Sequence, residues 1–335
     1  MVTAELHAIA RKMVARNKGI LAADESNATM SKRLDSINVA STPESRRQWR
    51  QLLFQTQGIG DFISGVIMYD ETIRQSDDSG KRFVELLAMS DILCGIKVDK
   101  STHDLAGAPG EFITEGLDGL RDRLADYYSM GARFAKWRAL LTVGYGRPSD
   151  YAIHTNAHAL GRYAILCQEQ GLVPIVEPEI LMDGVHNIDD CRLATKRSLT
   201  VVFEELVAQS VDLSGIVLKP NMVISGSEAS NRASSIEVAR QTIDCLLETV
   251  PAEVPGVAFL SGGQGDEESV VNLDEINKIA NSERLPWELT YSYGRGLQAA
   301  PLAIWLGKNE NVLAGQVAFQ RRGLDSSAAR EGVFT

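Results

Sequence analysis

Eight short β-rich runs, separated by longer stretches of helical spacing, constrain this chain more than any other feature. They are Gly19 to Asp24, Phe62 to Tyr69, Cys94 to Asp99, Phe134 to Arg138, Val173 to Glu179, Gly215 to Pro220, Val257 to Gly262 and Leu289 to Gly294. Most lack the apolar-polar alternation of a half-exposed strand, as expected where both faces of a parallel sheet are covered. Eight strands alternating with helices is the pattern of a (β/α)8 TIM barrel of the α/β class. A doubly wound sheet carries a glycine-rich nucleotide loop after its first strand, and nothing like Gly-x-Gly-x-x-Gly follows Gly19 to Asp24. Barrels of this kind often exceed 250 residues as one unit, so residues 1–335 are read as a single domain.

Ser149 to Gln170 reads most clearly as a helix: Pro148 and Ser149 suit its start, Ile153, Ala157, Leu160 and Ile165 recur on one side, and Gly171 supplies a stop. The longest irregular stretches, Ser101 to Gly110 and Ile224 to Ser235, fall directly after the third and sixth strands. They are candidate active-site loops and not domain linkers. Gly323 to Thr335 is small and polar and is expected to be a mobile tail.

The informative polar residues interrupt the strand runs. Asp24, Lys97, Lys136, Arg138, Glu177, Glu179, Lys219, Ser261 and Arg295 all fall at or just past C-terminal strand ends, the catalytic face of a TIM barrel. Residues two apart share a face, so Lys136 and Arg138 point together, as do Glu177 and Glu179 if the strand continues through Pro178. Ion pairs plugging the barrel mouth would account for one or two of these charges, but buried charge is costly and so many strands contributing one each calls for a ligand. The chain carries a net charge of -10, which excludes nucleic acid or an anionic membrane as its main partner. A local cluster of cations in an acidic protein points to a phosphorylated or carboxylated small molecule.

Crowded, partly buried lysines favour the neutral amine, which can attack a carbonyl and form a Schiff base. Lys219 is the nucleophile candidate by position, since it ends an apolar run of Ile216, Val217 and Leu218. The turns Ser261-Gly262-Gly263-Gln264-Gly265 and Gly294-Arg295-Gly296 follow the last two strands, where barrel enzymes often hold a phosphate on backbone amides.

Seven segments together closely resemble the class I fructose-1,6-bisphosphate aldolases: Leu21-Ala-Ala-Asp-Glu-Ser26, Gly95-Ile-Lys-Val-Asp-Lys100, Ala135-Lys-Trp-Arg138, Val176-Glu-Pro-Glu-Ile180, Leu218-Lys-Pro-Asn-Met222, Phe259-Leu-Ser-Gly-Gly-Gln264 and Ser292-Tyr-Gly-Arg295. The resemblance implies that Lys219 attacks the C2 ketone of an open-chain sugar bisphosphate, that Glu177 serves as acid and base while water is lost, and that Asp24 takes the C4 hydroxyl proton. It implies that Lys136 favours the reactive form of the nucleophile and positions intermediates. Ser261, Gly262, Gly294 and Arg295 would hold the 1-phosphate, Arg33, Lys97 and Arg138 the 6-phosphate, and Glu179 would orient neighbouring cations. Glycolysis and gluconeogenesis, a homotetrameric assembly and the absence of any metal or other cofactor follow from the same resemblance.

The resemblance breaks at the C-terminus. Animal members end in a tyrosine that assists enamine proton exchange, whereas the last residues here are Gly332 to Thr335 and the last tyrosine is Tyr293, leaving a carboxylate or a substrate phosphate as donor. Metal-dependent aldolases need clustered histidines, and of five histidines only His154 and His158 are spaced together, on a helix outside the barrel where a surface pair is expected. A related Schiff-base enzyme for a single phosphate or a seven-carbon bisphosphate, and a catalytically dead scaffold, are the other readings. The intact set Lys219, Glu177, Asp24 and Lys136 speaks against a scaffold. The cysteines Cys94, Cys167, Cys191 and Cys245 are scattered and read as reduced thiols. With no apolar run of about 18 residues and no signal-peptide pattern, a soluble cytoplasmic protein is expected.

Overall fold

The computed structural model describes residues 2–335. Strands β1 (Gly19–Ala23), β2 (Ile63–Met68), β3 (Leu93–Lys97), β6 (Phe134–Leu141), β7 (Val173–Ile180), β8 (Val217–Leu218), β9 (Gly256–Phe259) and β10 (Glu288–Tyr293) form a closed parallel barrel in the circuit β1-β10-β9-β8-β7-β6-β3-β2. Helices lie between successive barrel strands. The expected strands are all present. β6 runs farther than expected, to Leu141, and β8 is reduced to two residues. β7 does continue through Pro178, which pairs with Ala139. A short antiparallel hairpin of β4 (Thr102–Asp104) and β5 (Phe112–Thr114) fills much of the loop after β3 that had read as irregular.

The continuous apolar runs are explained by two cores that share each strand. Ile20 and Ala22, Phe134, Ile175, Val217 and Ala258 face inward and form one cluster, whose base is closed by Leu6, Ile9, Ala10 and Met13 of the helix Val2–Met13. Their neighbours Leu21, Ala135, Trp137, Val176, Leu218 and Phe259 face outward into the larger cluster beneath the surrounding helices. A period of two therefore separates inside from outside, not buried from exposed. Phe134 fills the barrel base because Gly95 has no side chain; a Cβ there would lie 2.1 Å from the Phe134 ring.

The inward rows carry the site. Ile20 and Ala22 lead to Asp24, Phe134 to Lys136 and Arg138, Ile175 to Glu177 and Glu179, and Val217 to Lys219, so each apolar row ends in charge at the same open end. Lys219 still belongs to the ladder, donating its N–H to Val176 O at 2.8 Å.

The helix Asp150–Glu169 starts on Ser149, whose hydroxyl accepts from Ala152 N, and ends before Gly171. His154 and His158 lie exposed on it, and His158 contacts Glu205 at 3.1 Å. The expected loose tail is corrected over most of its length: Gly323 to Glu331 form the second half of the helix Val312–Glu331. Gly323, Ser326 and Ala329 are buried there, and a Cβ at Gly323 would lie 2.1 Å from the Phe62 ring. Beyond it, Phe334 N donates to Asp274 Oδ1 at 2.9 Å. The small residues that suggested mobility are what close packing requires. All four cysteines are buried, unpaired thiols. Among the described residues no helix is long and apolar enough to cross a membrane.

Candidate active site

A cavity of about 650 Å3 opens at the C-terminal ends of the barrel strands, and all twelve residues singled out from the sequence line it. At its floor the charges alternate in a chain. Lys136 Nζ donates to Asp24 Oδ2 at 3.0 Å and lies 3.1 Å from Glu177 Oε2, while Lys219 Nζ lies 3.0 Å from Glu177 Oε1. Side-chain exposure is 6% or less for Lys136, Glu177 and Lys219, and 11% for Asp24. The Lys136 approach to Glu177 Oε2 is an ion-pair contact without hydrogen-bond geometry, so that oxygen, like Ser292 Oγ, is buried with no hydrogen-bond partner. Buried polar atoms left in this state at a cavity wall are ready for a ligand.

Electrostatics divides the labour between the two lysines. Burial alone would lower Lys136, but Asp24 and Glu177 outweigh it and hold this group well above the ordinary lysine value, as a fixed ammonium. Burial alone would raise Asp24 and Glu177. Lys136 and then Lys219 outweigh it for both, so that Asp24 stays well below the usual carboxylate range and Glu177 is also lowered. Lys219 touches one carboxylate, which it shares with Lys136.

Outside this floor, Lys97, Arg138 and Arg33 rest on carboxylates. Lys97 Nζ is 2.5 Å from Asp99 Oδ1, and Arg138 is paired with Glu179 and held above its ordinary value mainly against the opposing effect of burial. Lys97 ends β3 and Arg138 lies within the neighbouring strand β6, where the register places it opposite Glu177. Across the circuit, β9 and β10 lead into Ser261, Gly262, Gly294 and Arg295. Gly294 caps the helix Arg295–Trp305, whose first turn holds no acidic residue. Its positive end and free amides therefore face the cavity together with Arg295.

Arg33 stands apart from Lys97 and Arg138. It pairs with Glu25, a residue that sequence reasoning did not single out, and Glu25 also accepts from Arg50 at 2.5 Å and from Gln298 Nε2 at 2.9 Å. Gln298 in turn donates to Ala22 O at 2.7 Å and accepts from Trp49 Nε1 at 3.1 Å. This buried network braces the end of β1 against the helices Pro43–Phe54 and Arg295–Trp305. Ser26, Asp99 and Ser292 also line the cavity without having been singled out. All three, with Glu25, lie inside the segments that carried the resemblance, and that placement was the available signal.

The chain matches the family model described as fructose-bisphosphate aldolase class-I over residues 5–335. It is 51% identical over 332 residues to the cytosolic fructose-bisphosphate aldolase 4 of Arabidopsis thaliana, spanning 99% of this chain and 84% of that one. It is 52% identical over 301 residues to a probable class 1 fructose-bisphosphate aldolase of Xanthomonas campestris, spanning 90% and 89%. Fructose-bisphosphate aldolase from Plasmodium falciparum, solved in complex with TRAP and a small molecule inhibitor, superposes with a TM-score of 0.98 at 46% identity over 100% of this chain and 96% of that one. With a barrel mouth built from alternating lysines and carboxylates and relatives this similar along nearly the whole length, the chain belongs to the class I fructose-bisphosphate aldolase family, whose members are lyases.

Proposed function

We propose that this chain reversibly cleaves fructose 1,6-bisphosphate to dihydroxyacetone phosphate and glyceraldehyde 3-phosphate through a Schiff base on Lys219, without a metal ion. The observation that carries the reading is the pair of buried lysines on Glu177: one is pinned as an ammonium by two carboxylates, and the other is left with one shared contact. Lys219 gives one ammonium proton to Glu177, and the amine so formed adds to the C2 carbonyl while a second N–H proton moves to the carbonyl oxygen, giving the carbinolamine. Glu177 returns a proton to the carbinolamine hydroxyl, which leaves as water and gives the iminium.

Asp24 accepts the C4 hydroxyl proton as the C3–C4 bond breaks, and the bonding electrons pass into the iminium to give an enamine. Asp24 is a weak base in the empty site, so its proton transfer is coupled to bond cleavage and to the electron sink. Protonation of the enamine at C3, followed by hydrolysis, releases dihydroxyacetone phosphate and restores Lys219. Ser261, Gly262, Gly294 and Arg295 hold the 1-phosphate. Lys97 and Arg138 hold the 6-phosphate, with Arg33 joining them by exchanging Glu25 for the ligand, and Glu179 keeps Arg138 oriented until substrate arrives.

The family and its cytosolic relatives support a place in glycolysis and gluconeogenesis in the cytoplasm, and the resemblance supports a homotetramer. Cleavage of fructose 1,6-bisphosphate assayed with excess EDTA tests the reading: full activity is expected, and activity lost to EDTA and restored by a divalent ion overturns it.

A further inference from the structure

We propose that Arg322, which does not line the cavity, is a positioning residue for the 1-phosphate cradle. The inference rests on the reading of Ser261, Gly262, Gly294 and Arg295 as that cradle. Arg322 Nε donates to Gly296 O at 3.1 Å and its Nη2 donates to Asp266 O at 2.6 Å. Gly296 is the second residue of the helix Arg295–Trp305, and Asp266 is the first residue of the helix Asp266–Glu283. One helix opens on Gly294 and Arg295 and the other follows the loop that bears Ser261, so one guanidinium clips the two halves of the cradle together. The neutral Tyr293 hydroxyl, donating to Ser269 O at 2.8 Å, spans the same seam.

A clip alone needs no charge, and here a full charge stands beside a helix start. The helix Asp266–Glu283 has its positive end answered by Asp266, Glu267 and Glu268, whereas the helix Arg295–Trp305 has no acid in its first turn and opens on Arg295. Arg322 adds a second guanidinium against that same helix start, with side-chain exposure of 15% and its nearest carboxylate contact, Asp325 Oδ2, at 3.9 Å. A guanidinium held against the start of this helix adds to the positive field of the helix dipole and of Arg295. That field favours a phosphate on the Gly294 and Arg295 amides. Arg322 acts on the ligand through the helix start and its field, without touching it.

The test is steady-state kinetics of Arg322→Met and Arg322→Lys beside Arg321→Met, an exposed control on the same helix. Substrates are fructose 1,6-bisphosphate and fructose 1-phosphate in cleavage, and glyceraldehyde 3-phosphate, which lacks the 1-phosphate, in condensation. Arg322→Met is expected to raise KM for both ketose phosphates about tenfold with kcat within about twofold, leaving KM for glyceraldehyde 3-phosphate and the control unchanged. Arg322→Lys keeps the charge but cannot reach both carbonyls, so its KM for the ketose phosphates should rise above wild type by less than about tenfold, and that rise over wild type is readable even if the methionine variant fails to fold. An unchanged KM for the ketose phosphates, or an equal rise for glyceraldehyde 3-phosphate, overturns the inference. Arg295→Ala separates the layers: a raised KM there with none in the Arg322 variants sinks this inference alone, whereas an unchanged KM there removes the cradle and this inference with it.

Discussion

Glu177 is the carboxylate on which both buried lysines converge, and its two oxygens have different partners: Oε1 faces Lys219 and Oε2 faces Lys136 without a directed hydrogen bond. Replacement of Glu177 by Gln should therefore lower kcat by about a hundredfold to ten-thousandfold, the range for a lost general acid-base group, with KM little changed. Lys219→Ala should reduce cleavage by at least about a thousandfold while leaving the circular dichroism spectrum native, and an unfolded spectrum would show that the lysine is structural. Arg295→Ala removes charge-assisted contacts worth about 1.5–3 kcal/mol each, so KM for fructose 1,6-bisphosphate should rise about tenfold or more. Asp24 gives a pH signature. Its carboxyl ordinarily titrates at 3.8 and is held well below that when folded. The unfolded chain therefore binds the extra proton first as pH falls. The stabilisation is complete above about pH 5 and is lost progressively below about pH 4. Urea unfolding should accordingly show the wild type losing stability more steeply than Asp24→Asn as pH is lowered through that range.

At the scale of elements, what could be read from the sequence and what could not follow from how far apart the interacting residues lie. Asp24, Lys136, Glu177 and Lys219 each end an apolar run of their own strand, so a local pattern carried them. Glu25, Arg50, Gln298 and Trp49 owe their roles to one another across separations of 25 to 273 residues, and no local spacing records that. Arg33 was legible as a cation but not as the partner of Glu25, for the same reason. The β4–β5 hairpin escaped because its strands are three residues each and β4 is largely exposed, so neither apolar runs nor alternation marks it. The C-terminal helix escaped because Gly323, Ser326 and Ala329 read as a loose tail when they are small in order to meet Phe62 and its surroundings. Gly323→Ala should destabilise the protein by about 1–3 kcal/mol in denaturant unfolding, the cost of overpacking a core, whereas a loose tail would tolerate it silently.

Across the whole molecule, a chain of net charge -10 gathers six of its 34 cationic side chains around one cavity, with Lys97 and Arg138 at one point of the barrel circuit and Arg295 at the opposite one. That separation is set by the closed sheet and suits a substrate charged at both ends. Since the attraction is local, KM for the bisphosphate should rise with ionic strength as salt screens the exposed rim of the site. The barrel itself was the most legible level, because eight buried parallel strands leave eight apolar runs, and the closing helix Val2–Met13 was the least, since its role depends on the barrel it plugs. The central claim is that Lys219, and not Lys136, carries the covalent intermediate. Its most direct test is borohydride reduction in the presence of dihydroxyacetone phosphate and EDTA, followed by peptide mass spectrometry. The account predicts one stable adduct on the peptide containing Lys219; an adduct on Lys136, or full activity with no adduct at all, would contradict it.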